Sequence, residues 1–368
     1  MLRAPRLSLL SLLSLLLPLP QLRAVTRKFV CHCVCHCGCK FGLAWWVAWL
    51  ALLGAVPAAS AAPRPIFVLN SQDADVSVID ATTFALIKRV PTGKEPHHLY
   101  LAPDEKTLIV ANATGNTLSF IDPTNGNLLR TVPDILDPYH LRFSPDMKWF
   151  VTAANRLNHI DIYRWLGADA AQPLQLVKRI EAPRTPSHLS IDSHSRTVYA
   201  SLQDSDELMA IDLTTQAVRW KIAIGRMPAD LHLSPDDRTL LVGLTGDSVV
   251  EAYDVSGPQP RLIKRIPTGR GAHAFRARGD KRHVFVSNRV ANTISLIDQQ
   301  TLTVVAEYPA PGGPDCMEML ADNRTLMVSS RWSRQLTFID IEKKQVVRQV
   351  KVGRSPHGVW TLDHAPRQ

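Results

Sequence analysis

The residues best able to do chemistry recur at one place in a repeated sequence pattern. Seven tripeptides share this place: Pro96-His97-His98, Pro138-Tyr139-His140, Pro186-Ser187-His188, Pro228-Ala229-Asp230, Ala272-His273-Ala274, Pro314-Asp315-Cys316 and Pro356-His357-Gly358. They hold six of the chain's 13 histidines, with two aspartates and a cysteine. Imidazole, carboxylate and thiolate groups are ligands for transition metals, and imidazole also binds small anions because it titrates near neutral pH. The pattern therefore predicts a ligand site.

The tripeptides present these groups in two registers. One register holds His98, His140, His188, Asp230 and Cys316, and the other holds His97, His273, Asp315 and His357. Successive residues of a strand point to opposite faces, so the two sets need not reach one centre. We predict that His98, His140, His188 and Asp230 hold any metal ion, which would be copper, zinc, iron or nickel. The other residues are expected to line the same channel mouth.

Further polar residues are expected on the same face, in the loop after the next strand of each repeat. They are Asn70, Asn112, Asn155, Asn288, Arg331 and Trp332, of which we assign Asn112, Asn288 and Arg331 to ligand binding. Arg142 and Arg276 lie nearby in sequence and, with Arg331, could clamp an anion. The structural alternative is that each histidine only caps backbone groups or contacts the neighbouring repeat, and that the arginines are solvated.

The elements that position these residues come from a repeat of about forty residues. Its anchor is two residues followed by aspartate, at Asp80, Asp122, Asp161, Asp212, Asp254, Asp298 and Asp340, with steps of 42, 39, 51, 42, 44 and 42 residues. We expect the long step to contain an extra loop, Leu166 to Pro173. Short β-branched runs separated by Asp, Asn, Gly and Pro turns indicate four antiparallel strands per repeat. Seven such repeats predict an all-β fold, a seven-bladed β-propeller with four antiparallel strands per blade.

The two ends of the repeat region are out of phase, which predicts how the ring closes. The segment Ile66-Phe-Val-Leu-Asn70 matches a second strand, and Pro356-His-Gly-Val-Trp-Thr-Leu-Asp363 matches a first strand. The C-terminal strand should therefore complete the first blade and pair an edge that would otherwise be open. We expect one propeller domain over residues 62–368.

The repeat resembles that of the YVTN-repeat, YncE-like propellers. The resemblance rests on segments such as Ile109-Val-Ala-Asn-Ala-Thr-Gly-Asn-Thr-Leu-Ser-Phe-Ile-Asp122 and Leu231-His-Leu-Ser-Pro-Asp-Asp-Arg-Thr-Leu-Leu-Val, and it covers residues 66–363. It implies the propeller fold and an exported protein, but not one shared activity, because the family's repeat is structural.

Residues 1–61 differ from the rest and are predicted to be an export signal. They contain six basic residues and no acidic ones, and the apolar run Phe41 to Val56 ends in Pro57-Ala-Ala-Ser-Ala61, so we expect cleavage after Ala61 and a periplasmic or secreted protein. A start downstream of Met1 is the alternative. The tract from Cys31 to Cys39 has no C-x-x-C spacing; it either leaves with the signal or forms an anchor or metal-binding tail. Removing six basic residues leaves 36 basic against 33 acidic, a charge of +3, which makes nucleic acid an unfavoured partner.

Three functions remain open from the sequence. The first is a binding protein, expected as a monomer with no membrane span in the mature chain, that holds a metal ion or small anion at the channel mouth. The second is a lactonase-like hydrolase that uses the His, Asp, Asn and Arg side chains there, with a metal-bound water. The third is an envelope scaffold that binds another protein. The nucleophile-elbow, P-loop and HExxH motifs do not occur in the sequence, so we favour binding over catalysis.

Overall fold

Residues 64–367 are described by a computed structural model, and within this range they form seven four-stranded antiparallel sheets. The predicted export signal and the Cys31–Cys39 tract lie outside the described residues. In the described part of the chain, no helix has the length and apolar character needed to cross a membrane.

The sheets are the blades of the propeller, and their strands run from the channel outward. The strands are, in chain order, β1 (Ile66–Asn70), β2 (Asp75–Ile79), β3 (Leu86–Pro91), β4 (Pro96–Leu101), β5 (Leu108–Asn112), β6 (Thr117–Ile121), β7 (Leu128–Val132), β8 (Pro138–Phe143), β9 (Trp149–Ala154), β10 (His159–Trp165), β11 (Leu174–Glu181), β12 (Pro186–Ile191), β13 (Thr197–Leu202), β14 (Glu207–Asp212), β15 (Ala217–Ala223), β16 (Pro228–Leu233), β17 (Thr239–Leu244), β18 (Val249–Asp254), β19 (Arg261–Pro267), β20 (Ala272–Ala277), β21 (His283–Asn288), β22 (Thr293–Asp298), β23 (Thr303–Pro309), β24 (Pro314–Met319), β25 (Thr325–Ser330), β26 (Gln335–Asp340), β27 (Gln345–Lys351) and β28 (Pro356–Thr361). The predicted fold class is confirmed.

The first blade is closed by the last strand, as the phase of the repeat predicted. Its strand order is β28-β1-β2-β3, and β28 pairs antiparallel with β1, with Ile66 opposite Thr361 and Phe67 opposite Trp360. Trp360 is fully buried, and its ring lies 5.9 Å from that of Phe67. The closure thus combines a strand ladder with a large apolar contact.

The core lies between neighbouring blades, and a turn capped by aspartate recurs in most repeats. The inner three strands of each blade are mostly buried, whereas the outer strands, such as β3 and β7, are mostly exposed. Most anchor aspartates cap their own turns; Asp80, for example, accepts backbone hydrogen bonds from Thr82 and Thr83. Asp161 differs because β10 continues past it to Trp165, and the predicted extra loop follows before β11 begins at Leu174.

Each inner strand carries a β-bulge at its start, and this decides where the tripeptides point. On β4, for example, Pro96 lies opposite Asn112 and His98 opposite Ala111, so three residues face two. The same irregularity occurs where the other inner strands begin. A bulge interrupts strict alternation. Residues of both registers therefore reach the channel, which strict alternation alone would not require.

Candidate functional site

Three histidines from three successive blades meet in the channel. His98 on β4, His140 on β8 and His188 on β12 place one ring nitrogen each within 4.8 Å of the others. Their ring centroids are 4.4 Å apart for His98 and His140, 4.8 Å for His140 and His188, and 5.1 Å for His98 and His188. All three side chains are buried. We call this set the histidine triad.

Each histidine of the triad has one ring nitrogen that makes no hydrogen bond within residues 64–367. Among the described residues, Nε2 of His98, Nδ1 of His140 and Nε2 of His188 are buried without a hydrogen-bond partner. Burial lowers the pKa of His98 and His140 well below the usual value, and lowers that of His188 to about 4. The rings are therefore neutral at pH 7, which is the form that ligates metals. A buried polar atom without a partner costs about 1–3 kcal/mol, and a ligand bound at these nitrogens would remove that cost.

His188 has a neighbour that can orient its ring. Its Nδ1 lies 2.8 Å from Oγ of Ser187, and its backbone N–H donates to Oγ of Ser201. When Nδ1 carries the proton and donates it to Ser187, Nε2 presents its lone pair to the triad. Metal-binding histidines are commonly held in this way through their second nitrogen.

A second layer of side chains fills the channel toward the loops that enter the inner strands. The His97 ring stacks between Tyr139, at 3.8 Å, and His357, at 3.7 Å between centroids. Nδ1–H of His357 donates to the carbonyl oxygen of His97 over 2.7 Å, which ties β28 of the first blade to β4 of the second. This layer is tightly packed, as in the structural interpretation of the repeated histidines, although Nδ1 of His97 and Nδ1 of His273 also lack a hydrogen-bond partner in the described part of the chain.

Asp315 is the electrostatic centre of that second layer. The carboxylate is fully buried and lies 2.8 Å from Arg289, 3.1 Å from Arg331 and 3.3 Å from Nε2 of His273. Burial alone would raise the pKa of Asp315, but Arg289, His357 and His273 outweigh burial and hold the pKa well below its usual range. His273, Asp315 and His357 also lie close enough to hold a metal. Because two guanidinium groups already neutralise Asp315, the histidine triad is the better cation site.

Asp315→Asn is expected to destabilise the propeller strongly. The amide has the same shape but leaves the charges of Arg289 and Arg331 without a partner, which costs about 3–5 kcal/mol for a buried pair. Urea denaturation at pH 8 measures this as a loss in the free energy of unfolding. The exposed Asp204→Asn serves as the control, and a loss below about 1 kcal/mol for Asp315→Asn would show that the cluster is not buried as described.

The open space lies on the other side of the triad. A cavity of about 160 Å³ touches His98, His140 and His188 and extends along the inner strands to Arg142, His232, Arg276, Glu318 and Trp360. None of His97, His273, Asp315 or His357 lines this cavity. The sequence analysis placed His97, His273, Asp315 and His357 at the channel mouth, near the loops that enter the inner strands. The structure instead buries them, because the second layer fills the channel at that end.

Comparisons with known proteins agree with this architecture. The family model of YncE-like β-propellers matches residues 29–367. The chain belongs to the YncE-like β-propeller family. No curated protein sequence matches this family member.

Solved structures similar to this YncE-like propeller share its fold at low sequence identity. A protein of unknown function from Desulfotomaculum acetoxidans has a TM-score of 0.70 and 15% identity, covering 81% of this chain and 98% of its own. The periplasmic gluconolactonase PpgL of Pseudomonas aeruginosa has a TM-score of 0.69 and 19% identity, covering 81% and 98%. A putative 6-phosphogluconolactonase from Bacteroides fragilis has a TM-score of 0.65 and 14% identity, covering 83% and 100%. At such identities the likeness shows the fold alone.

Of the other site residues predicted for this YncE-like propeller, some line the cavity and some do not. Asp230 and Cys316 line it beside the triad. Both carboxylate oxygens of Asp230 accept backbone hydrogen bonds, from Leu231 and from Phe275 of the next blade, so this side chain links two blades. Burial raises the pKa of the Cys316 thiol well above its usual value.

Asn112 and Asn288 lie at the ends of β5 and β21, and their amides hold their own blades together. The Nδ2 group of Asn112 donates to Thr117 and Ser119, and that of Asn288 donates to Thr293 and Ser295. Asn70 does the same with Asp75 and Ser77. The common spacing, with partners five and seven residues on, is a signal that could have identified this structural role from sequence. Trp332 is exposed.

Sequence reasoning missed the residues that close the far end of the cavity. Glu318 on β24 pairs with Arg276 and with Arg367 of the C-terminal tail. Arg276 also donates to the carbonyl oxygens of Ala365 and Pro366. The tail thereby borders the cavity, and Arg276, which was expected to bind an anion, already has a carboxylate partner.

Proposed function

We propose that this YncE-like propeller is an exported protein that binds one transition-metal ion at the histidine triad. One observation carries the proposal: three neutral, buried imidazoles from three blades converge, and each has a ring nitrogen without a partner. Three histidines with an open position are a common set for zinc, and imidazole equally suits copper, nickel and iron. Export rests on the pattern of residues 1–61.

The spacing of the triad is suited to closing on an ion. Metal–nitrogen distances of about 2.0–2.1 Å imply ligand atoms roughly 3.3 Å apart. The nitrogens of His98, His140 and His188 lie within 4.8 Å, so modest side-chain rotations bring them into place. Asp230 stays outside the primary set, since its oxygens accept backbone hydrogen bonds, but its negative charge favours a cation beside His188.

Replacing the triad is expected to abolish metal uptake. The metal-free protein, prepared with a chelator, is titrated with Zn²⁺ and Cu²⁺ at pH 7.5, and bound metal is counted by elemental analysis. We expect about one equivalent for the wild type, with a rise in melting temperature because the ion binds only the folded state. The triple variant His98→Ala, His140→Ala, His188→Ala should bind none.

The control is His194→Ala, which removes an exposed histidine and should leave uptake unchanged. A triple variant that still binds one equivalent would move the site elsewhere. A wild type that takes up no metal would overturn the proposal and leave the triad as a packing element.

Lactone hydrolysis is a second candidate, favoured by one feature of the cavity. An ion at the triad would face open space beside His232 and Arg142, where a metal-bound water could reach a carbonyl. The metal-loaded protein is therefore assayed with gluconolactone, and hydrolysis no faster than with the triple variant would exclude this candidate.

A further inference from the structure

Arg142 stands apart from the other arginines that border the channel. Arg289 and Arg331 pair with Asp315, and Arg276 and Arg367 pair with Glu318. Among the described residues, no carboxylate lies within ion-pair distance of Arg142, and its one hydrogen bond within the protein goes from Nη1 to the carbonyl oxygen of Leu141. Its guanidinium group also lies 6.0 Å from the Tyr100 ring centre, which supports its position without neutralising its charge. Most N–H donors of the Arg142 guanidinium group therefore remain available to a ligand.

The guanidinium group lies where a ligand of the triad would be. Arg142 lines the cavity next to His98, His140 and His188, and it also lines an adjoining cavity that is bordered by His232 and Arg367. The first cavity, at about 160 Å³, is large enough for several waters or one small organic ion. Arg142 follows two residues after His140 on β8, which fixes the two groups on the same side of one strand.

The side chains that line the cavity carry a net positive charge, which a bound metal ion would increase. Arg142, Arg276 and Arg367 contribute three positive charges, and Asp230 and Glu318 contribute two negative ones. A divalent cation at the neutral triad raises this sum from +1 to +3 in a partly buried space. Such an excess is strongly unfavourable at low dielectric unless a counter-charge enters. An anion placed between the ion and Arg142 supplies it.

We infer that the metal site is completed by a small oxygen-bearing anion, a carboxylate or a tetrahedral oxyanion, bound between the metal ion and Arg142. The inference rests on the proposed metal function. Three histidines leave an open coordination position, which one oxygen of the anion fills. The planar guanidinium group of Arg142 then donates hydrogen bonds to one or two other oxygens of the anion. A lysine ammonium group cannot donate in this paired geometry. The chain would therefore bind metal and anion cooperatively.

Titration of the metal-free full chain with Zn²⁺ tests this coupling. Affinity is measured calorimetrically at constant ionic strength in chloride, in acetate and in sulfate. We expect acetate or sulfate to tighten Zn²⁺ binding by about tenfold relative to chloride, within the usual range of coupled sites. A larger effect of acetate identifies a carboxylate as the ligand, and a larger effect of sulfate identifies a tetrahedral oxyanion.

The variant Arg142→Met should separate the metal from the anion. In chloride it is expected to bind Zn²⁺ at least as tightly as the wild type, since a nearby positive charge is gone. The gain from acetate or sulfate should fall below twofold. Arg142→Lys keeps the charge but not the fork, and it should recover only part of the gain. Arg270→Met, at an exposed position, should behave as wild type.

Cobalt substitution adds a readout that does not depend on affinity. The visible spectrum of Co²⁺ at the triad should shift when the anion is added to the wild type and stay constant in Arg142→Met. Metal binding without any anion effect in the wild type, or with an equal effect in Arg142→Met, overturns the inference and leaves the metal site intact. Absence of metal binding in every buffer overturns the proposed function itself.

Discussion

The metal-free propeller is expected to lose most of its stability between pH 6.5 and 4.5. Burial lowers the pKa of the channel histidines, to about 4 for His188 and well below the usual value for His97, His98, His140 and His357. The unfolded chain takes up protons near pH 6.5, whereas the folded protein does not. Stability is therefore complete above pH 6.5 and falls as the pH drops toward the folded-state pKa values.

The size of the effect follows from the number of histidines. Each contributes about 1.4 kcal/mol per pH unit within its window, which gives about 3 kcal/mol for His188 between pH 6.5 and 4. Several together rival the 5–15 kcal/mol that stabilise a typical domain. Acidic side chains with lowered pKa values, such as Asp73 and Asp298, act only below about pH 4, so the two windows are separate.

Urea denaturation across pH 8 to 4.5, in the presence of a chelator, measures this slope. The variant with all three triad histidines replaced by leucine should show a shallower slope, because three proton-binding groups of the unfolded chain are removed. The variant His194→Leu, which replaces an exposed histidine, is the matched control. Equal stability at pH 7 and pH 5 would mean that the histidines are charged in the folded state, contrary to their burial.

Deleting residues 354–368 is expected to prevent stable folding altogether. The deletion removes β28, so β1 loses its inner partner and Phe67 loses the buried Trp360. Loss of a buried tryptophan alone costs about 3–5 kcal/mol, and the open edge of β1 becomes a template for aggregation. Bonds across the closure, such as that of Gly353 N–H to Asn70, lose the neighbouring chain that holds them.

A shorter deletion provides the matched control. Removing residues 366–368 keeps β28 whole and takes away the Arg367 partner of Glu318, so a cooperative but less stable fold is expected. Circular dichroism, size-exclusion chromatography and thermal melting compare the two deletions. Wild-type melting of the 354–368 deletion would contradict the role of β28 in ring closure.

The fold could be predicted from the sequence because the same turn-forming aspartate recurs once in every repeat. Aspartates such as Asp80 and Asp122 bond the backbone of the residues that follow them, so their spacing marks each blade directly. The phase difference between Ile66 and Pro356 likewise predicted the closing pair. The first signal is local and the second comes from comparing repeats of the same chain, so a single sequence contains both.

The arrangement of the site depended on contacts that a single sequence does not record. Strict alternation separates His97 from His98, but the bulge on β4 brings both rings to the channel, with centroids 4.9 Å apart. Asp315 pairs with Arg331 of its own blade and with Arg289 of the neighbouring blade. Which histidines form the triad and which belong to the packed second layer follows from these long-range contacts.

The closing pair of strands also sets an order of folding. β1 leaves the ribosome among the first strands of the propeller but finds its inner partner only when β28 has emerged, whereas β5 has both its neighbours, β4 and β6, at hand within the same stretch of chain. Contacts between distant segments form late because the loop between them must first be closed. The middle blades can therefore assemble early and in sequence, while the first blade waits as a three-stranded fragment. We expect the exposed edge of this fragment to favour aggregation until β28 pairs with it.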